Sequence, residues 1–179
     1  IDDFKSRLES FISAQTGQTA AIQEAVPLAG GASRDSWALT VLSGQDTQRY
    51  VLRRDLPTTM HENALTREQE FRLMRAAYDS GVKVARMRWH CDDPDVLGLP
   101  FFLMDFVEGI SIGRKVIQEE SLAQARDALP EQMAAQLALI HRMNPAEHGI
   151  DFLQRPAHAS PARHAIAETY TVLDELGAK

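Results

Sequence analysis

Five short apolar runs lie between residues 22 and 107, three before a single helical stretch and two after it. No strand-like run follows, and that order constrains the fold more than any other feature. Ile22 to Leu28, Ser36 to Leu42 and Arg49 to Arg54 form the first group. Pro27 near the end of the first run marks an edge strand, because proline donates no ladder hydrogen bond. Ser43-Gly44-Gln45-Asp46 reads as the hairpin turn between the second and third. Val84 to Cys91 and Phe101 to Val107 form the second group, joined by an acidic turn at Asp92-Asp93-Pro94-Asp95. Between the groups, Phe71, Met74 and Tyr78 recur with helical spacing and Gly81 is a natural stop. Thr66-Arg67-Glu68-Gln69 has the spacing of a capping box, with a start as early as Glu62 left open. The order predicts an α+β lobe: an antiparallel sheet of about five strands with one helix packed on it.

Helical spacing flanks this core on both sides. Ile1, Phe4, Leu8, Phe11 and Ile12 predict an amphipathic helix on the outside of the lobe. After Val107, Glu108-Gly109 reads as a hinge, and the rest of the chain is helical. Met133, Leu137, Ile140 and Met143 form one stripe. Ser160-Pro161 suits the cap and first turn of a last helix, whose apolar face holds Ile166, Tyr170, Leu173 and Leu176. The expected division is residues 1–107 as a mixed lobe and 108–179 as a hinge with the beginning of a helical lobe.

Apolar residues make up 44% of the 179, enough for a sizeable core. A formal net charge of -6 argues against nucleic acid as the main partner, since phosphate-backbone binding needs a basic surface. A nucleotide needs only a local patch. Cys91 is the sole cysteine, so no intramolecular disulfide can form and a reducing cytosol is the simplest setting. No apolar run has the length of a membrane span, and the start shows no secretory pattern. The expectation is a cytoplasmic protein without a membrane partner. Ile1 and Lys179 both read as cuts within something longer.

Four places could carry chemistry. Gly30-Gly31-Ala32-Ser33-Arg34 lies between two strands, where glycines let backbone N–H groups approach phosphate oxygens. It matches neither common phosphate-loop pattern, and taken alone such a segment is more often a plain turn. In Val51-Leu52-Arg53-Arg54, alternation puts Val51 and Arg53 on one face and Leu52 and Arg54 on the other. Arg53 could clamp phosphate, or both arginines could simply face solvent. Glu70 on the helix could pair with Arg53, or be an ordinary solvated carboxylate. Phe101 to Gly109 could offer backbone groups to a planar base, or be a buried strand.

Taken together and in this order, the four segments resemble the N-terminal lobe of the aminoglycoside phosphotransferase family. Its relatives include kinase-like domains fused to acyl-CoA dehydrogenases. Gly30-Gly31-Ala32-Ser33-Arg34-Asp35-Ser36-Trp37 is similar to its phosphate loop, and Tyr50-Val51-Leu52-Arg53-Arg54 to its third strand. Gln69-Glu70-Phe71-Arg72-Leu73-Met74 resembles its αC-type helix, and Gly98 to Gly109 its strand and hinge. The resemblance covers roughly residues 20 to 145. It implies a protein-kinase-like N-lobe followed by the first helices of a mostly helical C-lobe.

The resemblance also implies roles. The backbone of Gly30, Gly31, Ala32, Ser33 and Arg34 would cover the phosphates of ATP, and Val51 would lie against the adenine. Arg53 would replace the usual lysine on the α/β-phosphates, paired with Glu70. Met104 would stand at the back of the pocket, while the Asp105 carbonyl and Val107 amide would read the adenine edge. Magnesium and a small-molecule hydroxyl acceptor complete the implied set. Arginine at position 53 and few glycines in the loop both point away from protein substrates.

No His-Gly-Asp with a downstream asparagine, and no second aspartate for magnesium, is present in the 179 residues. His148-Gly149-Ile150-Asp151 spaces its aspartate wrongly and reads as a loop after the helix. His141 reads as a structural histidine, and His158 and His164 show no ligand spacing, so no metal site is expected. The catalytic loop is therefore expected beyond Lys179, and this stretch alone is expected to be inactive. The competing reading is a non-catalytic nucleotide-binding or protein-interaction module on a kinase-like lobe. A third is an α+β domain without a nucleotide role.

Overall fold

A computed structural model describes residues 2–28, 35–55, 64–110, 112–153, 156, 160–175 and 177. Its centre is a five-stranded sheet built from β1 (Ala20–Pro27), β2 (Asp35–Ser43), β3 (Asp46–Arg54), β4 (Met87–Cys91) and β5 (Phe101–Asp105). The order across the sheet is β1-β2-β3-β5-β4 and every pair is antiparallel. β1 takes an edge, as Pro27 requires. Gly44 opens the β2–β3 turn at φ 63°, a left-handed value that suits glycine.

The sheet carries a helix on each face: the N-terminal amphipathic helix expected on the outside of the lobe, and the helix expected between the two strand groups. α1 (Asp2–Thr16) covers one face with Leu8 and Ile12, both fully buried. Around them pack Ile22, Leu39, Val41, Tyr50, Leu52, Phe101 and Leu103. Phe11 meets Phe101 edge-on at 5.1 Å. The acidic segment after β4 is more than a turn. Asp93 accepts from the Asp95 N–H at 2.9 Å and caps a short helix, α3 (Pro94–Leu97), whose Leu97 is buried in the same core.

α2 (Arg67–Asp79) covers the other face. The Gln69 N–H donates to Thr66 Oγ1 at 3.2 Å and the Thr66 N–H to Gln69 Oε1 at 3.0 Å, so the capping box forms. The helix starts at Arg67; Glu62 lies outside the described residues. Phe71 packs on Phe102 and Met87 with Met74 beside it, whereas Tyr78 is exposed and Ala76 and Ala77 are buried instead. β4 starts at Met87 rather than Val84.

Past Asp105 no strand recurs among the described residues. α4 (Gly113–Gln118), a 3-10 turn at 120–122, α5 (Ala123–Arg142) and α6 (Pro161–Glu175) follow. Met143 falls just beyond the end of α5, and the stripe of Met133, Leu137 and Ile140 is exposed. Ile166, Tyr170 and Leu173 on α6 are exposed likewise; Leu176 lies outside the described residues. His141 is exposed, which does not fit a structural histidine. His148 to Asp151 form a loop in which the Gly149 carbonyl accepts from Arg72.

Candidate functional site

Alternation along β3 divides its side chains between the two helices. Opposite each other across the β3–β5 ladder lie Val51 with Met104 and Arg53 with Phe102, on the α2 face. Tyr50 with Asp105, Leu52 with Leu103 and Arg54 with Phe101 fall on the α1 face. Arg53 therefore stands one two-residue step, about 6.8 Å, from Val51. Arg54 is committed elsewhere: it donates to Asp35 at 2.6 Å and to the Leu97 carbonyl at 3.1 Å, over the ring of Phe4.

A cleft of about 450 Å³ opens on the α2 side. Leu28, Val51, Ala85 and Met104 give it apolar walls, and the segment from Asp105 to Ile110 forms its rim. That rim is tied down at its start. The Phe106 N–H donates to the Arg49 carbonyl at 3.1 Å, the Arg49 guanidinium lies 3.8 Å over the Phe106 ring, and it also pairs with Glu108. The Asp105 carboxylate takes two hydrogen bonds from Arg88, at 2.5 and 3.0 Å. This pairing holds Arg88 charged above its ordinary range. One residue past Phe106, the Val107 N–H donates to no acceptor among the described residues. Val107 as a whole is 67% exposed.

Beside the cleft on the same face is a chain of charges. Arg53 Nη1 lies 2.7 Å from Glu70 Oε1, and Arg67 Nη1 lies 2.5 Å from Glu70 Oε2. Arg67 Nε lies 2.7 Å from Asp55 Oδ1. Arg67 is 1% exposed and is among the largest fully buried side chains. The guanidinium groups of Arg53 and Arg67 both lie just under 6 Å from the ring of Phe102.

The structure thus brings Val51, Met104, Asp105 and Val107 to one cleft, with the Arg53–Glu70 pair next to it and not in its wall. Gly30 to Arg34 lie outside the described residues. Among the described residues, no group of three or more His, Cys, Asp or Glu side chains is placed to hold a metal ion. Sequence reasoning misses Arg67 and Asp55. The i,i+3 spacing of Arg67 and Glu70 was a usable signal for one half of that link; the other half joins two segments that only the fold brings together.

Sheet order and helix placement define a kinase-like fold. The sequence profile of the phosphotransferase enzyme family (APH) matches residues 24–178, and the chain belongs to that family. A protein of Ralstonia eutropha JMP134 assigned as an aminoglycoside phosphotransferase superposes with a TM-score of 0.70 at 22% identity. The match covers 97% of this chain and 48% of that one. Among curated proteins, Arabidopsis thaliana IBR3, assigned as an acyl-CoA dehydrogenase, is 33% identical over 113 residues, which is 62% of this chain. Acyl-CoA dehydrogenase family member 10 of Mus musculus is 26% identical over 70% of the chain. Family member 11 of Pongo abelii is 31% identical over 54% of it. The matched stretches span only 14%, 12% and 12% of those relatives' own lengths.

Proposed function

We propose that this chain is the nucleotide-binding part of an ATP-dependent phosphotransferase that acts on a small-molecule hydroxyl. The observation that carries the reading is the grouping on one sheet face. An apolar cleft, with a rim amide that has no acceptor among the described residues, lies one strand step from an arginine paired with a carboxylate. Adenine has two apolar faces and a polar edge. Val51, Ala85 and Met104 supply the apolar contact, and the Val107 N–H and the Asp105 carbonyl meet the edge. Arg53 grips the α/β-phosphates, and the amides of Gly30 to Arg34 cover them. Membership of the phosphotransferase family supports the reaction class.

In this reading residues 1–107 hold the nucleotide and 108–179 begin the helical lobe. The magnesium ligands and the catalytic base come from residues outside this sequence; magnesium, when bound, neutralises the phosphates during transfer. What this chain contributes is position and charge. Among the described residues no helix is long and apolar enough to cross a membrane; with the single cysteine, that is compatible with work in the cytoplasm.

Calorimetric titration with ATP and with adenosine tests the reading. Arg53→Ala is expected to weaken ATP by about 10- to 100-fold, the worth of a charge-assisted hydrogen bond. Adenosine affinity and the urea midpoint should stay the same. The 179-residue chain alone should bind ATP weakly and transfer no phosphoryl group. Equal loss for both ligands, or no ATP binding by the parent protein, would sink the proposal.

A further inference from the structure

The carboxylate of Glu70 is divided between two arginines. Oε1 faces Arg53 and Oε2 faces Arg67. Left alone with one guanidinium, a carboxylate prefers to take both N–H groups of the planar fork. Arg67 prevents that by holding the second oxygen, and Asp55 on its Nε keeps Arg67 in place. Arg53 is left with a single described partner, although a guanidinium carries five N–H donors. Its remaining donors have no hydrogen-bond partner among the described residues. The four charges sum to zero, but the second negative charge lies on Arg67 and not on Arg53.

Stability alone is a poor account of Arg67. Replacing a buried ion-pair network by apolar side chains of similar volume is often neutral or stabilising. The site also has apolar neighbours ready for such a replacement, with Phe102 fully buried beneath both arginines.

We propose that Arg67 is a positioning residue: by occupying half of Glu70, it keeps Arg53 only partly neutralised and available to an anionic phosphate. This rests on the reading of Arg53 as the phosphate clamp. Without Arg67, Glu70 closes on Arg53 with both oxygens, and the clamp is satisfied before any ligand arrives.

The test is Arg67→Met in the protein, read as the ratio of ATP to adenosine affinity. ATP should weaken by about ten-fold with adenosine unchanged. In an Arg53→Ala background the same substitution should change ATP affinity no further, since the effect runs through Arg53. Equal weakening of ATP and adenosine, or a loss that persists without Arg53, overturns the proposal. If Arg53→Ala by itself leaves ATP affinity intact, the clamp reading fails first and takes this one with it. If Arg53→Ala weakens ATP but Arg67→Met does not, only the positioning role falls. Should Arg67→Met not fold, Arg67→Gln removes the charge while keeping a donor, and the same ratio decides. Failure of both to fold assigns Arg67 to stability and overturns the proposal.

Discussion

Val51 and Met104 face each other across the β3–β5 ladder, and the next pair on that face is Arg53 with Phe102. An apolar wall and an arginine are thereby set side by side by strand geometry alone. No loop is needed to bring them together. The distance between them is the strand repeat, which thermal motion of the surrounding loops does not alter.

At the rim of the cleft, two successive amides differ in what they do. The Phe106 N–H is spent on Arg49, and the Val107 N–H has no acceptor among the described residues. Val107→Pro removes only the second. Adenosine affinity should fall by roughly 2- to 10-fold, the net worth of one hydrogen bond, while the urea midpoint stays put. Calorimetry and urea titration on the same preparation check this, and undiminished adenosine binding would exclude an amide contact.

Leu103 is fully buried on the opposite face, facing Leu52. Leu103→Ala should destabilise the fold by about 2–5 kcal/mol, through lost transfer energy and a residual cavity. Nucleotide affinity of the folded fraction should hold, because the residue faces α1 and not the cleft. Urea unfolding and calorimetry separate the two effects.

Tyr50, opposite Asp105, is 4% exposed and packs edge-on against Trp89 at 5.4 Å. Burial raises its hydroxyl above the ordinary 10.0; nearby Arg88 pulls the other way and Asp105 adds to the rise. A raised value means the folded state favours the protonated phenol. The corresponding stability is complete below the unfolded value and is lost as pH climbs through the folded one. Tyr50→Phe should therefore flatten the alkaline loss of unfolding free energy above about pH 10. Urea titrations of both proteins at rising pH give the difference directly; parallel curves would remove Tyr50 from the account.

Much of this arrangement is legible in the sequence because it is periodic or local. Two-residue alternation in Val51-Leu52-Arg53-Arg54 sorts the side chains by face, and Thr66 with Gln69 announces the start of α2. Arg67 escapes the same logic. It sits in the first turn of a helix, where a charged side chain ordinarily faces water, and its burial depends on Asp55 arriving from the end of β3. Tyr78 errs the other way, since helical spacing counts it as apolar while its position near the end of α2 leaves it uncovered. α3 is hidden because four residues are too few for any periodicity, and only the Asp93 cap hints at it.

Strict alternation in β3 has a hereditary consequence. A substitution at Val51 or Arg53 alters one contact and leaves its neighbours facing where they did. Loss of Val51 would instead turn Leu52 toward the cleft and put Arg53 in the buried place of Leu52 beneath α1. In descent a changed letter in this strand is a local event, whereas a changed length re-sorts every side chain that follows.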